Sequence, residues 1–163
     1  AWEDAIHRRL PTAPMISMAH PTVVDPSRAP AGKHTGSWYI EYAPYQLADG
    51  TWDERREEMA ERLLDIIDEY SPNYRRAIID YKLITPLDIE RDRLLTGGDI
   101  HHADVIPSQM LSNRPIAELS QYRAPIKDLY LCGAGMHPWG EVSGAPGHNA
   151  AHEILRDFDA RKL

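Results

Sequence analysis

The segment from Asp128 to Leu155, DLYLCGAGMHPWGEVSGAPGHNAAHEIL, places an apolar run, a Gly-x-Gly turn, a glycine- and proline-rich loop and a helix pattern in that order. Glycine has no Cβ, so a turn of this kind lets backbone N–H groups approach a ligand closely. Here the unit falls in the last 36 residues of 163. A self-contained dinucleotide fold would open with it. The third glycine of G-x-G-x-x-G is replaced by Pro138, and no helix begins directly after the turn, so a Rossmann unit starting at Gly133 is excluded.

Length fits one domain, and 42% apolar residues suffice for a core. A net charge of -7 argues against nucleic acid, whose recognition starts from a basic face. The single cysteine, Cys132, rules out an intramolecular disulfide and is expected to be a small buried strand residue. No apolar run is long enough for a membrane span, and AWEDAIHRRL carries no signal-peptide core, so the expected location is the cytoplasm. The first residue, Ala1, fits either a removed initiator methionine or a piece of a longer chain.

A short amphipathic helix is expected before Pro11. MISMAHPTVVD and HTGSWYIEYAPY read as two antiparallel strands joined by the connector PSRAPAGK. Thr51 stands three residues before Glu54, a capping-box spacing, and Met59, Leu63, Ile66, Ile67 and Tyr70 form one helical stripe. AIIDYKLIT reads as a further strand, and Thr85-Pro86 starts another helical turn. Residues 97–122 are mostly irregular. LYLC is expected as a strand, and Ala151, Ile154, Leu155 and Phe158 as the buried side of the last helix.

His148 and His152 have the i, i+4 spacing of some zinc ligands, but no third ligand is evident and the pair reads as surface histidines. His101-His102 read equally as exposed loop residues or as pocket lining.

The run GAGMHPWGEVSGAPGHNAA resembles the C-terminal flavin-contacting motif of the phytoene desaturase-like FAD oxidoreductases, and within them the pyridine nucleotide-disulfide oxidoreductase domain-containing branch. DPSRAPAGKHTGSWYIEYAPY, TPLDIERDRLLTGGDIHHADV and SNRP resemble the same family in the same order. The resemblance implies an α+β chain made of the tail of an antiparallel-sheet substrate domain (1–122) and the returning strand and helix of a Rossmann-like FAD domain (123–163). It implies FAD as cofactor, with Gly133, Ala134 and Gly135 near the ribityl and pyrophosphate part. The amides of Val142, Ser143 and Gly144 would then face the N1–C2=O2 edge, where a helix N-terminus stabilises negative charge. The implied activity is dehydrogenation of a C–C or C–N bond of a small molecule, with no catalytic acid or base assigned. These 163 residues contain no G-x-G-x-x-G, so the isolated chain is expected to bind FAD weakly or not at all and to be inactive alone. Trp139 and Glu141 interrupt the family's glycine-rich run, and a ring and a carboxylate there are costly unless they point outward. Unpaired edges of LYLC predict a homo-oligomer. The alternative is a stand-alone, non-catalytic binding or assembly domain.

Overall fold

The Thr51 hydroxyl accepts from the Glu54 amide at 3.3 Å, and the Glu54 carboxylate accepts from the Thr51 amide at 2.8 Å. This reciprocal cap starts the longest helix of the protein, here described from a computed structural model covering residues 1–102, 104–139 and 142–160. Five α-helices are formed among the described residues: α1 (Trp2–Ile6), α2 (Trp52–Tyr70), α3 (Tyr74–Ala77), α4 (Pro86–Arg93) and α5 (Ala145–Asp159). β1 (Met15–Ala19) and β2 (Ser37–Glu41) pair antiparallel, Met15 opposite Glu41 and Ala19 opposite Ser37. The chain divides into two compact units, Ala1–Gly98 and Asp99–Leu163.

In the first unit, α2 buries Trp52, Met59, Leu63 and Ile67 on one side. Trp52, Met59 and Leu63 form a core with Leu10, against which the cross-strand pair Ile16 and Ile40 packs from the sheet. Of the expected stripe, Met59, Leu63 and Ile67 are buried, Ile66 is half-buried and Tyr70 is exposed. α4 has its own capping box between Thr85 and Asp88, with Pro86 at its first turn. Arg56 of α2 grips the same Asp88 with two bonds of 2.6 and 2.8 Å and also donates to the Leu83 carbonyl, joining the two helices. That guanidinium, with the Thr85 amide and hydroxyl, holds the Asp88 carboxyl far below the usual carboxylate range. Asp4 of α1 accepts from the Thr12 amide and hydroxyl at 3.0 and 2.8 Å, which lowers its pKa from 3.8 to about 2.

The sequence expects a strand over AIIDYKLIT, and there is none. Residues after α3 run as coil to α4, and Ile79, Tyr81 and Ile84 are exposed. Alternation of apolar residues makes a strand only where a neighbour completes the ladder.

The second unit begins with single 3-10 turns at Pro107–Gln109, Leu111–Asn113 and Ala117–Leu119. LYLC is not a strand: among the described residues only Tyr130 pairs, in an isolated antiparallel bridge with Arg123. Leu131 donates to the Tyr122 carbonyl at 2.8 Å, and Ala124 to the Leu129 carbonyl at 3.0 Å, so the segment folds back on residues 122–124. Cys132 is exposed rather than buried, because no ladder carries it inward. The small core is Tyr122, Met136 and Ala150, with Leu131 against it.

α5 turns the expected face outward. Ile154, Leu155 and Phe158 are 37%, 56% and 67% exposed, and Ala151 is exposed too, whereas Pro146, Ala150 and Asp157 are buried. The reason is an ionic clamp. Arg123 donates to Asp157 from Nε at 2.6 Å and from Nη2 at 2.9 Å, Tyr130 Oη donates to the same carboxylate at 2.7 Å, and Arg123 also pairs with Glu153 at 2.7 Å. The paired carboxylates keep the Arg123 guanidinium more firmly protonated than usual, and the Asp157 carboxylate raises the Tyr130 phenol.

Candidate functional site

Gly133 has φ +98 and nothing within 4 Å of where a Cβ would stand. Its carbonyl accepts from the Met136 amide at 3.0 Å, and the Met136 carbonyl accepts from the Trp139 amide at 2.8 Å, so Gly133–Trp139 is a pair of consecutive tight turns. The positive φ of Gly133 would strain any side-chain-bearing residue. Ala134 is half-buried between the two glycines, and among the described residues Gly135 meets only His102, 3.7 Å from its Cβ position.

The other predicted group stands at the start of α5. Gly144 is its N-cap, with φ +72 and open space around it, and its carbonyl accepts from the His148 amide at 2.9 Å. Ser143 Oγ accepts from the Ala145 amide at 3.3 Å, and Val142 is 98% exposed. The 15-residue length of α5 gives its N-terminus a partial positive charge. Glu141, which the sequence places beside the implied flavin edge, lies outside the described residues. Trp139, the other interruption of the glycine run, turns its ring to His101, with centroids 6.1 Å apart.

Backbone at Gly133 and Gly144 is thus open to close approach, as a dinucleotide cofactor requires of the residues that touch it. His148 and His152 are exposed with ring centroids 4.5 Å apart, and no group of three or more candidate metal ligands occurs among the described residues. His101 is half-buried and His102 exposed.

Sequence reasoning passed over the side chains that hold this region together. Tyr122 Oη donates to the His137 carbonyl at 2.8 Å and accepts from Asn149 Nδ2 at 2.9 Å, bracing the turn against α5. Arg114, inside the SNRP stretch, is 1% exposed and bonds only to backbone carbonyls among the described residues. A charged residue beside a proline in an irregular stretch gives no periodic signal of burial.

The chain is 42% identical over 160 residues to "Pyridine nucleotide-disulfide oxidoreductase domain-containing protein 2" of Rattus norvegicus, covering 97% of this chain and 28% of that protein. It is 32% identical over 142 residues to a limonene dehydrogenase polypeptide of Castellaniella defragrans, covering 84% of this chain and 26% of that protein. To "Phytoene desaturase (lycopene-forming)" of Pseudescherichia vulneris it is 28% identical over 127 residues, with 76% and 25% covered. No family model matches the chain, and no solved structure matches it. The chain therefore spans 28% of the length of the rat relative, and what it matches in these proteins is their C-terminal part. The chain is thus homologous to the C-terminal part of phytoene desaturase-like oxidoreductases.

Proposed function

We propose that this chain is the C-terminal, cofactor-contacting part of an FAD-dependent oxidoreductase that removes hydrogen from a C–C or C–N bond of a small molecule. The observation that carries the reading is the 42% identity across 97% of the chain, a span that takes in the open glycine turn and the mouth of α5. Relatives named as dehydrogenases and a desaturase support hydrogen removal as the reaction class. When bound, the flavin supplies the two-electron redox chemistry. Gly133, Ala134 and Gly135 offer backbone to the ribityl and pyrophosphate part, and glycine at the first and third positions keeps side chains out of the way. Val142, Ser143 and Gly144 present amides to the N1–C2=O2 edge, with the α5 dipole stabilising negative charge there. In this reading residues 1–122 are the tail of a substrate domain and 123–163 the returning part of a Rossmann-like FAD domain.

The alternative is a stand-alone binding or assembly domain. The specific observation favouring it is the exposed face of Ile154, Leu155 and Phe158, which a second copy could cover. One experiment separates the readings. Millimolar FAD is titrated into the isotope-labelled chain, and amide shifts are followed by NMR. The cofactor reading expects small, fast-exchanging shifts confined to 133–135 and 142–144, from a sample that emerges colourless from gel filtration. The tumbling time of the same sample distinguishes a monomer of 18.5 kDa from a dimer. Shifts scattered over the first unit and absent from 133–135 and 142–144 would exclude the proposed contacts.

A further inference from the structure

Arg114 is 1% exposed, yet arginine keeps its charge and carries five N–H donors. Burial of such a group is tolerated where its donors find acceptors, as both terminal nitrogens do here, while Nε has none among the described residues. Nη1 donates to the carbonyls of Asp104 and Gln109, each at 3.2 Å. Nη2 donates to those of His101 at 3.3 Å and His102 at 2.6 Å. One planar fork thus gathers four carbonyls from residues 101–109. The regular structure in that stretch is a single 3-10 turn, and the His101 amide also donates to the Asp99 carboxylate at 2.7 Å. Lysine could not do the same, because an ammonium is a point donor with three protons.

The segment so gathered is also what the Gly133–Trp139 turns rest on. Trp139 Nε1 donates at 3.2 Å to the His101 carbonyl, the same oxygen that Arg114 holds. The His101 ring lies beside the Trp139 ring, and His102 Cβ lies 3.7 Å from the Cβ position of Gly135. We propose that Arg114 is a positioning residue for the candidate cofactor turn: it sets the 101–109 segment, and through His101 and His102 that segment sets Trp139 and Gly135. The inference rests on the cofactor reading for its purpose, though not for its geometry. Tyr122 and Asn149 brace the turn from the α5 side independently, so loss of Arg114 should loosen the turn without releasing the helix.

The test uses the whole chain with Arg114→Met, Arg114→Lys and Trp139→Phe. Two readouts are followed: solvent exchange of the Trp139 indole N–H, and the FAD-induced amide shifts. Arg114→Met is expected to speed indole exchange by about tenfold, the worth of one hydrogen bond in local opening. It should also abolish the FAD response of Gly133–Gly135 while sparing Ser143 and Gly144, a split that general destabilisation does not produce. Arg114→Lys should fall between Arg114→Met and the wild type. Trp139→Phe keeps Arg114 and removes only the indole N–H bond to His101, so it decides the matter if Arg114→Met fails to fold. It too should weaken the response of 133–135. Unchanged indole exchange in Arg114→Lys, or a full response of 133–135 in Trp139→Phe, would overturn the proposal. An FAD response in the wild type that avoids 133–135 and 142–144 would instead sink the cofactor reading, and with or without a response indole exchange decides what Arg114 holds.

Discussion

Gly98→Ala is expected to destabilise the first unit by at least about 3 kcal/mol, lowering its melting temperature on the order of 10 °C. Gly98 has φ +69, and a Cβ there would stand 2.3 Å from the Pro86 carbonyl oxygen and 2.8 Å from two further Pro86 backbone atoms. The obstacle is backbone at the first turn of α4, so no side-chain rotation relieves it, and the Thr85–Asp88 cap would have to move as well. Gly97 is the built-in control. It has φ +67 but nothing within 4 Å of its Cβ position, so Gly97→Ala should cost only the left-handed strain, about 1 kcal/mol. Thermal or denaturant unfolding of the two variants checks the difference. Equal losses would mean that strain, not the contact with Pro86, dominates at both positions.

Asp157→Ala is expected to cost about 2–3 kcal/mol, confined to the second unit. Removing the carboxylate strands the Nε donor of Arg123 and the phenol of Tyr130, and leaves Nη2 to Glu153 alone. Breaking a buried pair costs about 3–5 kcal/mol, and the 39% exposure of the Arg123 side chain reduces this by letting water replace part of the loss. Hydrogen exchange should show α5 amides losing protection while α2 amides keep theirs. A loss under about 1 kcal/mol would mean that Glu153 alone holds Arg123 and the clamp is redundant.

What could be read in advance follows from how local each determinant is. Thr51 with Glu54, and Thr85 with Pro86, announce their helices because a helix start is written in residues at most three apart. The β1–β2 pair was legible from two apolar runs around a proline and glycine connector. LYLC and AIIDYKLIT misled because a strand exists only with partners, and no ladder forms at either among the described residues apart from the Tyr130 bridge. The α5 face misled for a different reason. Its apolar stripe is genuine, but which side packs is set by Arg123, 34 residues from Asp157. No window over the helix contains that information. At the candidate site the glycines were visible as residues needing freedom of backbone, whereas Arg114 and Tyr122 act through carbonyls that any sequence would supply.

The proposed reading makes the open backbone at Gly133 and Gly144 part of a flavin site. The most direct test is flavin retention in a longer protein. The 163 residues are joined, in place of the matching C-terminal part of a relative, behind that relative's upstream segment, and bound FAD is measured by absorbance after gel filtration. The account predicts near-stoichiometric flavin for the joined protein, and its loss when Gly133 and Gly144 are both changed to valine, which puts a branched side chain where backbone must approach the cofactor. Undiminished flavin in that double variant would contradict it.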